Sequence, residues 1–214
     1  MKAHLKRQKV PKTWPIARKG NTFVVKSKSK GLPLLVALRD ILKLAQTKKE
    51  VKQAIHKKDI LISGKVANDE KNSIELLDIL TIIPAKENYR LNLSKFGKYI
   101  FEKIDEKDTK TKIAKIIGKK SIKGKKTQIN LFDGRNYLSK EKCEVNDSVV
   151  IDFSKSKISK VLQLKEKSNI LVIGGKHAGA TGKIETLVPQ LKMAEINDGE
   201  KKFRVLIKQL MVIN

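Results

Sequence analysis

The residues that could do chemistry in this chain cluster in one stretch, Gly174-Gly175-Lys176-His177-Ala178-Gly179-Ala180-Thr181-Gly182-Lys183. Glycines let backbone N–H groups close around a phosphate, lysine adds charge, and histidine can move a proton. A Walker A loop needs G-x-x-x-x-G-K-S/T, so that amides wrap the phosphates and a hydroxyl reaches magnesium. Here Gly182-Lys183 is followed by Ile184, and His177 stands where the first glycine is required. Gly174 and Gly179 have the right separation, but Ala180-Thr181 follows. A second candidate loop, at Gly118 and Gly124, is off by one residue. The dinucleotide fingerprint also fails, because the spacing from Gly175 to Gly182 is wrong and a strand-like run follows. No acidic residue adjacent in sequence orients His177 as a general base. The stretch is therefore read as a loop that meets phosphate, without catalysis.

Metal and redox chemistry find no support either. Cys143 is the single cysteine, and His4, His56 and His177 share no ligand spacing. Asp133 and Asp152 fall at turns or strand ends, where structural roles are ordinary. No cofactor, metal or small-molecule substrate is expected, and the chain is not read as an enzyme.

Charge points to the partner. The 214 residues carry 48 Lys and Arg against 22 Asp and Glu, a formal net charge of +26. Such a surplus repels itself in a compact state, and a polyanion relieves it. Nucleic acid is the leading partner class. No apolar run approaches the roughly 18 residues of a membrane span. The basic start, Met1-Lys2-Ala3-His4-Leu5-Lys6-Arg7, is not followed by the apolar segment of a signal peptide. A reduced, cytoplasmic protein without membrane contact is expected.

The elements that must position these charges follow from periodicity. Residues 1–30 contain no acid and many lysines, punctuated by Pro11, Pro15 and Gly20, with Phe23-Val24-Val25 as a short strand. They predict a basic arm that orders on nucleic acid. Trp14 within it is expected to anchor against the protein's own core or a base. Residues 31–85 predict a two-helix module on a small sheet. Leu34, Leu35, Leu38, Ile41, Leu42 and Ala45 make one helical stripe. Thr47-Lys48-Lys49-Glu50 is a capping box opening a second helix. That helix should bury Val51, Ala54 and Ile55 and expose Lys49, Lys52, Gln53 and His56. Ile60 to Ile62, a turn at Ser63-Gly64, Lys65-Val66 and Ile79 to Ile83 supply strands. Residues 86–165 read as a β-rich central domain, with a type I′ hairpin turn at Asp133-Gly134. Its basic loop, Gly118 to Lys126, is a phosphate candidate through Lys119, Lys120 and Lys123. Residues 166–214 read as a small barrel-like β unit turning at Asn197-Asp198-Gly199.

Several of these segments, in their order along the chain, resemble one family. His4-Leu5-Lys6-Arg7 and Pro11-Lys12-Thr13-Trp14-Pro15-Ile16 are similar to the N-terminal arm of the S-four-e family of archaeal and eukaryotic small-subunit ribosomal proteins. Leu32-Pro33-Leu34-Leu35, Leu38-Arg39-Asp40-Ile41-Leu42, Glu50-Val51-Lys52 and Ile60 to Val66 resemble its S-four-type RNA-binding domain. Asp133-Gly134-Arg135-Asn136 and Val145-Asn146-Asp147-Ser148 look like its central domain, and Gly174 to Gly182 looks like its KOW motif. The resemblance spans nearly the whole chain. It departs at Gln8-Lys9-Val10, where the family has small residues, and at the end, Asn214, where eukaryotic members carry a basic tail; the latter points to an archaeal type.

The resemblance implies an α+β, multidomain protein: arm, two-helix module, central β domain and C-terminal SH3-like KOW barrel. It implies a structural component of the small subunit that binds its ribosomal RNA beside neighbouring small-subunit proteins. Expected RNA contacts are Lys2, His4, Lys6, Arg7, Lys12, Trp14 and Arg18 in the arm. Arg39, Lys49, Lys52 and Lys65 follow in the module, and Lys119, Lys120 and Lys123 in the central loop. Lys176, His177 and Lys183 complete the set in the glycine stretch. Gly64, Gly134, Gly179 and Gly182 are expected at structural turns, with Gly182 the pivot of the KOW bend. Two other classes share pieces of this pattern. A pseudouridine-synthase-like RNA-modifying enzyme needs an Asp soon after Gly-Arg, but Gly134-Arg135 is followed by Asn136-Tyr137. A KOW-type transcription elongation factor leaves the arm and module unexplained.

Overall fold

The computed structural model describes residues 4–122, 126–139, 143–199 and 201–213. The chain is mostly β with two short helices, and it divides into two compact units. The first comprises Met1–Leu93 and Lys98–Lys110, and the second Ser94–Gly97 and Thr111–Asn214.

The first unit starts with the arm, which folds on itself. β1 (His4–Lys6) pairs antiparallel with β2 (Phe23–Val25). β3 (Leu32–Pro33) leads into α1 (Leu34–Val36), which continues as a π turn over Ala37–Ile41. The expected stripe is real, since Leu34, Leu35 and Leu38 are buried. The helix stops short of Ala45 because Lys43 turns left-handed at φ 55°. α2 (Lys48–His56) has the predicted capping box: Thr47 Oγ1 accepts the Glu50 N–H, and Glu50 reaches back to the Gln46 N–H at 2.8 Å. The bond from Gln46, then that from Thr47, holds the Glu50 carboxyl below its ordinary range. Val51 and Ile55 face the core while Lys49, Lys52, Gln53 and His56 face solvent.

Then come β4 (Ile60–Ile62), β5 (Lys65–Val66), β6 (Ser73–Ile74), β7 (Ile79–Ile82), β8 (Glu87–Leu93) and β9 (Tyr99–Lys103). A five-stranded sheet runs β5-β4-β7-β8-β9, and β3 pairs with β6. β8 and β9, expected in a central domain, extend this sheet instead. β8 pairs with β7 from Ile79↔Arg90 to Ile82↔Glu87, so continuous ladder hydrogen bonding outweighs the turn at Pro84 as a boundary. One hydrophobic cluster holds the unit together. It takes Val10, Trp14 and Val24 from the arm, Leu34 to Leu38, Val51 and Ile55 from the helices, and Ile60, Leu80 and Leu91 from the sheet.

The second unit contains two five-stranded sheets. β10 (Thr111–Ile122), β11 (Lys126–Leu131), β12 (Asn136–Ser139), β13 (Ser148–Asp152) and β14 (Lys157–Leu162) form the order β12-β11-β10-β13-β14. β15 (Asn169–Val172), β16 (Thr181–Val188), β17 (Met193–Asn197), β18 (Lys202–Leu206) and β19 (Leu210–Val212) form β18-β17-β16-β15-β19. The second sheet is a half-barrel, since its edge strands β18 and β19 do not pair with each other among the described residues. At Asp133-Gly134 only the glycine has positive φ, 79°, whereas a type I′ turn needs both. Gly134 instead closes a turn by donating to the Leu131 carbonyl, and Asp133 accepts the Arg135 N–H.

β10 ties the two sheets, because side chains alternate along a strand. Ala114 and Ile116 join the cluster of the first sheet, with Ile129, Leu131, Val149 and Ile151. Ile113 points the other way and packs with Ile170, Val172, Ile184 and Leu210. Lys115 shares that second face and is only 2% exposed. Its Nζ donates to the carbonyls of Ile207 at 2.8 Å and Lys208 at 2.9 Å. From the other face Lys112, also buried, pairs with Asp133 at 2.9 Å.

Burial pushes the Lys115 ammonium down from 10.5 to about 8. The folded state therefore releases this proton before the unfolded chain does, so its contribution to stability grows as pH rises from about 8 to 10.5. A neutral amine keeps two N–H donors for the two carbonyls. We predict that the difference in unfolding free energy between wild type and Lys115→Met grows by up to about 3 kcal/mol across that window. Denaturant melts at a series of pH values check it, and a pH-independent difference would contradict it.

Candidate nucleic-acid interface

Hydrogen bonding within the fold decides which of the expected basic residues are available. In the arm, Arg7 Nε donates to the Asn21 carbonyl at 2.6 Å and Nη1 to that of Ala17 at 2.9 Å. Arg18 Nη1 donates to the Val10 carbonyl at 2.8 Å and lies within 3.4 Å of those of Arg7 and Gln8. The two guanidiniums thus satisfy carbonyls of a chain too short and too rich in proline to pair them in a sheet. They are internal fasteners first. Trp14 takes the core and not a base, contrary to its place among the expected RNA contacts: it is 4% exposed in the first unit's core, where no base can stack on it. The Tyr99 N–H, donating to the Thr13 carbonyl at 2.8 Å, fixes it beside β9. Lys6 and Lys12 remain exposed, and His4 is exposed with its ring edge-on to Phe23.

In the module, α2 presents Lys49 and Lys52 to solvent, and β5 presents Lys65 just past the Gly64 turn at φ 78°. Arg39 differs. It grips its neighbour Asp40 through two bonds of 2.9 Å, which raise its pKa and cancel its charge locally. It lies in a groove of about 670 Å³ lined also by Arg7, Asn21, Lys43 and Gln46. Lys48 is spent on the buried carboxylate of Glu70 at 2.6 Å.

In the second unit Lys119 and Lys120 project from the end of β10, Lys119 with a bond of 3.1 Å to the Cys143 carbonyl. Lys2 and Lys123 lie outside the described residues. The glycine loop joins β15 to β16 as expected. The Gly179 N–H donates to the Val172 carbonyl, and that of Val172 to Ala180. Gly179 has φ 89°, and a Cβ there would overlap the Ser94 carbonyl oxygen, so only glycine fits. Gly182 is not the pivot of the bend. It lies inside β16, where a Cβ would come 2.6 Å from the Asn197 carbonyl oxygen; its role is close strand approach. Gly182 and Lys183 line a cavity of about 830 Å³ with Lys167, Asn169 and Asn197. Lys176 and Lys183 are exposed. His177 stacks on Phe203 at 4.4 Å and 17°, and among the described residues no carboxylate hydrogen-bonds its nitrogens.

Two features escape the sequence reading. Phe96, at the β8–β9 turn, is a lone aromatic between lysines and carries no periodic signal. Lys112 and Lys115 look like ordinary surface charges until the fold buries them. Their signal was available, since Lys112 and Lys115 flank and interrupt the apolar run Ile113 to Ile117.

Against known proteins, the model of ribosomal family S4e matches residues 85–158, and that of the RS4NT (NUC023) domain matches residues 1–29. The chain is 35% identical to the small ribosomal subunit protein eS4 of Methanocella arvoryzae over 190 residues, 86% of this chain and 80% of that one. It is 33% identical to the eS4 protein of Methanothermobacter thermautotrophicus over 222 residues, 98% of this chain and 91% of the relative. The crystal structure of the 30S ribosomal protein S4e from Thermoplasma acidophilum has a TM-score of 0.75 at 22% identity, covering 87% of this chain and 96% of that one. That likeness shows a shared fold.

Arg7→Ala combined with Arg18→Ala should free the arm's carbonyls, lower the first unit's stability by about 1–3 kcal/mol, and speed amide exchange across residues 7–22. Exchange unchanged in that segment would show that proline and Trp14 alone order it.

Proposed function

The chain belongs to ribosomal family S4e, and from that premise we propose that it is a structural component of the small ribosomal subunit, bound to the subunit's ribosomal RNA and to neighbouring proteins in the cytoplasm. It is a ribosomal structural protein and not an enzyme. The observation that carries the RNA contact is the distribution of charge: a net +26 whose lysines stand on the exposed faces of rigid elements. Affinity then comes from neutralised phosphates and released counterions, and a fixed basic face reads the shape of folded RNA.

Within this proposal the interface is built from Lys6, Lys12 and His4 of the arm, Lys49, Lys52 and Lys65 of the module, and Lys119 and Lys120 of the central sheet. Lys176, His177 and Lys183 add the glycine loop. Arg7, Arg18 and Arg39 contribute by shaping the surface, since each already bonds within the protein. The four segments, 1–30, 31–85, 86–165 and 166–214, are taken as functional blocks, with β8 and β9 of the third sharing the sheet of the second. The half-barrel β15–β19 is taken as the SH3-like KOW unit, supported by its strand, glycine loop and strand order.

In lysates of the source cells, the protein should sediment with small-subunit particles and leave them as salt rises. A protein free of those particles even at low salt would refute the assignment. Lys49→Ala with Lys52→Ala should make the salt dependence of binding to small-subunit RNA shallower, by about 0.7–0.9 in slope for each phosphate no longer neutralised. An unchanged slope would remove α2 from the interface.

A further inference from the structure

We propose that Phe96 is a stacking platform for an unpaired RNA base, presented beside the phosphate-binding glycine loop of the second unit. The inference rests on the RNA-binding role proposed above and goes beyond it, because it assigns recognition of a base where every other contact meets phosphate.

Phe96 is 92% exposed, against 61% for Leu138, the next most exposed large apolar side chain among the described residues. A phenyl ring so fully presented to water buries almost nothing in the protein itself. The ring sits on a short, fixed turn. The Gly97 N–H donates to the Ser94 carbonyl at 2.8 Å, with Gly97 at φ 70°, so Lys95 and Phe96 occupy the tip. The turn is seated on the glycine loop. A Cβ on Gly97 would be 3.5 Å from that of Ala178, and Gly179 lies against the Ser94 carbonyl. A platform already held in place loses little entropy on binding.

The surroundings select the ligand. Neither the turn, residues 94–97, nor the loop, residues 173–183, contains a carboxylate, and Lys95 and Lys176 are exposed. An apolar protein partner gains nothing from this cationic frame. A single-stranded nucleic acid uses both features: phosphates meet lysine, and the flat face of any base meets the ring. Phenylalanine offers no hydrogen-bonding edge, so the site accepts an unpaired base of any identity.

Because Phe96 is exposed, its replacement leaves the fold intact. Phe96→Ala should weaken binding of a single-stranded RNA 12-mer and of small-subunit ribosomal RNA about tenfold, with the salt slope unchanged, while Phe96→Tyr binds like wild type. Phe96→Trp supplies an exposed fluorophore distinct from buried Trp14. Its emission should be quenched by the 12-mer and not by inorganic polyphosphate, which has the charges and no bases. If wild type and Phe96→Ala bind both RNAs equally, the platform is overturned and the RNA-binding role stands. Equal RNA affinity with poor incorporation into small subunits would make Phe96 a protein contact, which also overturns it. A wild-type protein that binds neither RNA would sink the RNA-binding role itself.

Discussion

Forty-eight basic side chains and twenty-two acidic ones must share one folded chain, and several of the acids are committed to the interior. Asp78 accepts the Ser63 hydroxyl and the Glu75 N–H, and Glu75 accepts the Gly31 N–H. Asp147 accepts the N–H groups of Glu144 and Leu164, and Asp133 neutralises the buried ammonium of Lys112. A carboxylate placed inside holds backbone donors that would otherwise be unpaired. It is then no longer available to the lysines outside. Among the described residues the exposed pairs, such as Lys28 with Asp69 and Lys202 with Glu185, are each weak. The cationic surface follows from the surplus of basic residues and is sharpened where an acid is held inside.

The same constraint governs the arm. A stretch with no acid has only cations and backbone with which to fold. It does so by turning Arg7 and Arg18 onto its own carbonyls and by burying Val10, Trp14 and Val24 beneath the helices. The arm is therefore a shaped surface. In the second unit the equivalent fastening is made by β10, whose two faces serve different cores and whose Lys115 holds the carbonyls beneath β19. Gln209, next to those carbonyls, accepts the Ile173 N–H through its backbone and lies against Gly175 through its side chain, so the buried lysine is linked to the floor of the glycine loop.

Much of this is legible in the residues themselves. The capping box at Thr47, the period-two strands, the outward face of α2 and the failure of the Walker spacing all depend on neighbours within a few positions. Local chemistry decides them wherever the chain lies. The resemblance to the S-four-e family rests on motif order along the chain, and the comparisons bear it out.

What only the tertiary structure decided depends on residues far apart in sequence. Trp14 turned from a base contact into a core residue because β9 lies over it. The hairpin β8–β9 joined the first sheet because β7 offered it a free edge. Gly182 became a site of close approach because β17 returns beside it, and the lysines at 112 and 115 became internal fasteners because their strand has a core on each side. Composition determined that this protein carries a large positive charge, since excess charge is a property of the sum. Which cations and which aromatic ring face outward was left to packing, since burial is a property of the neighbours that folding brings together.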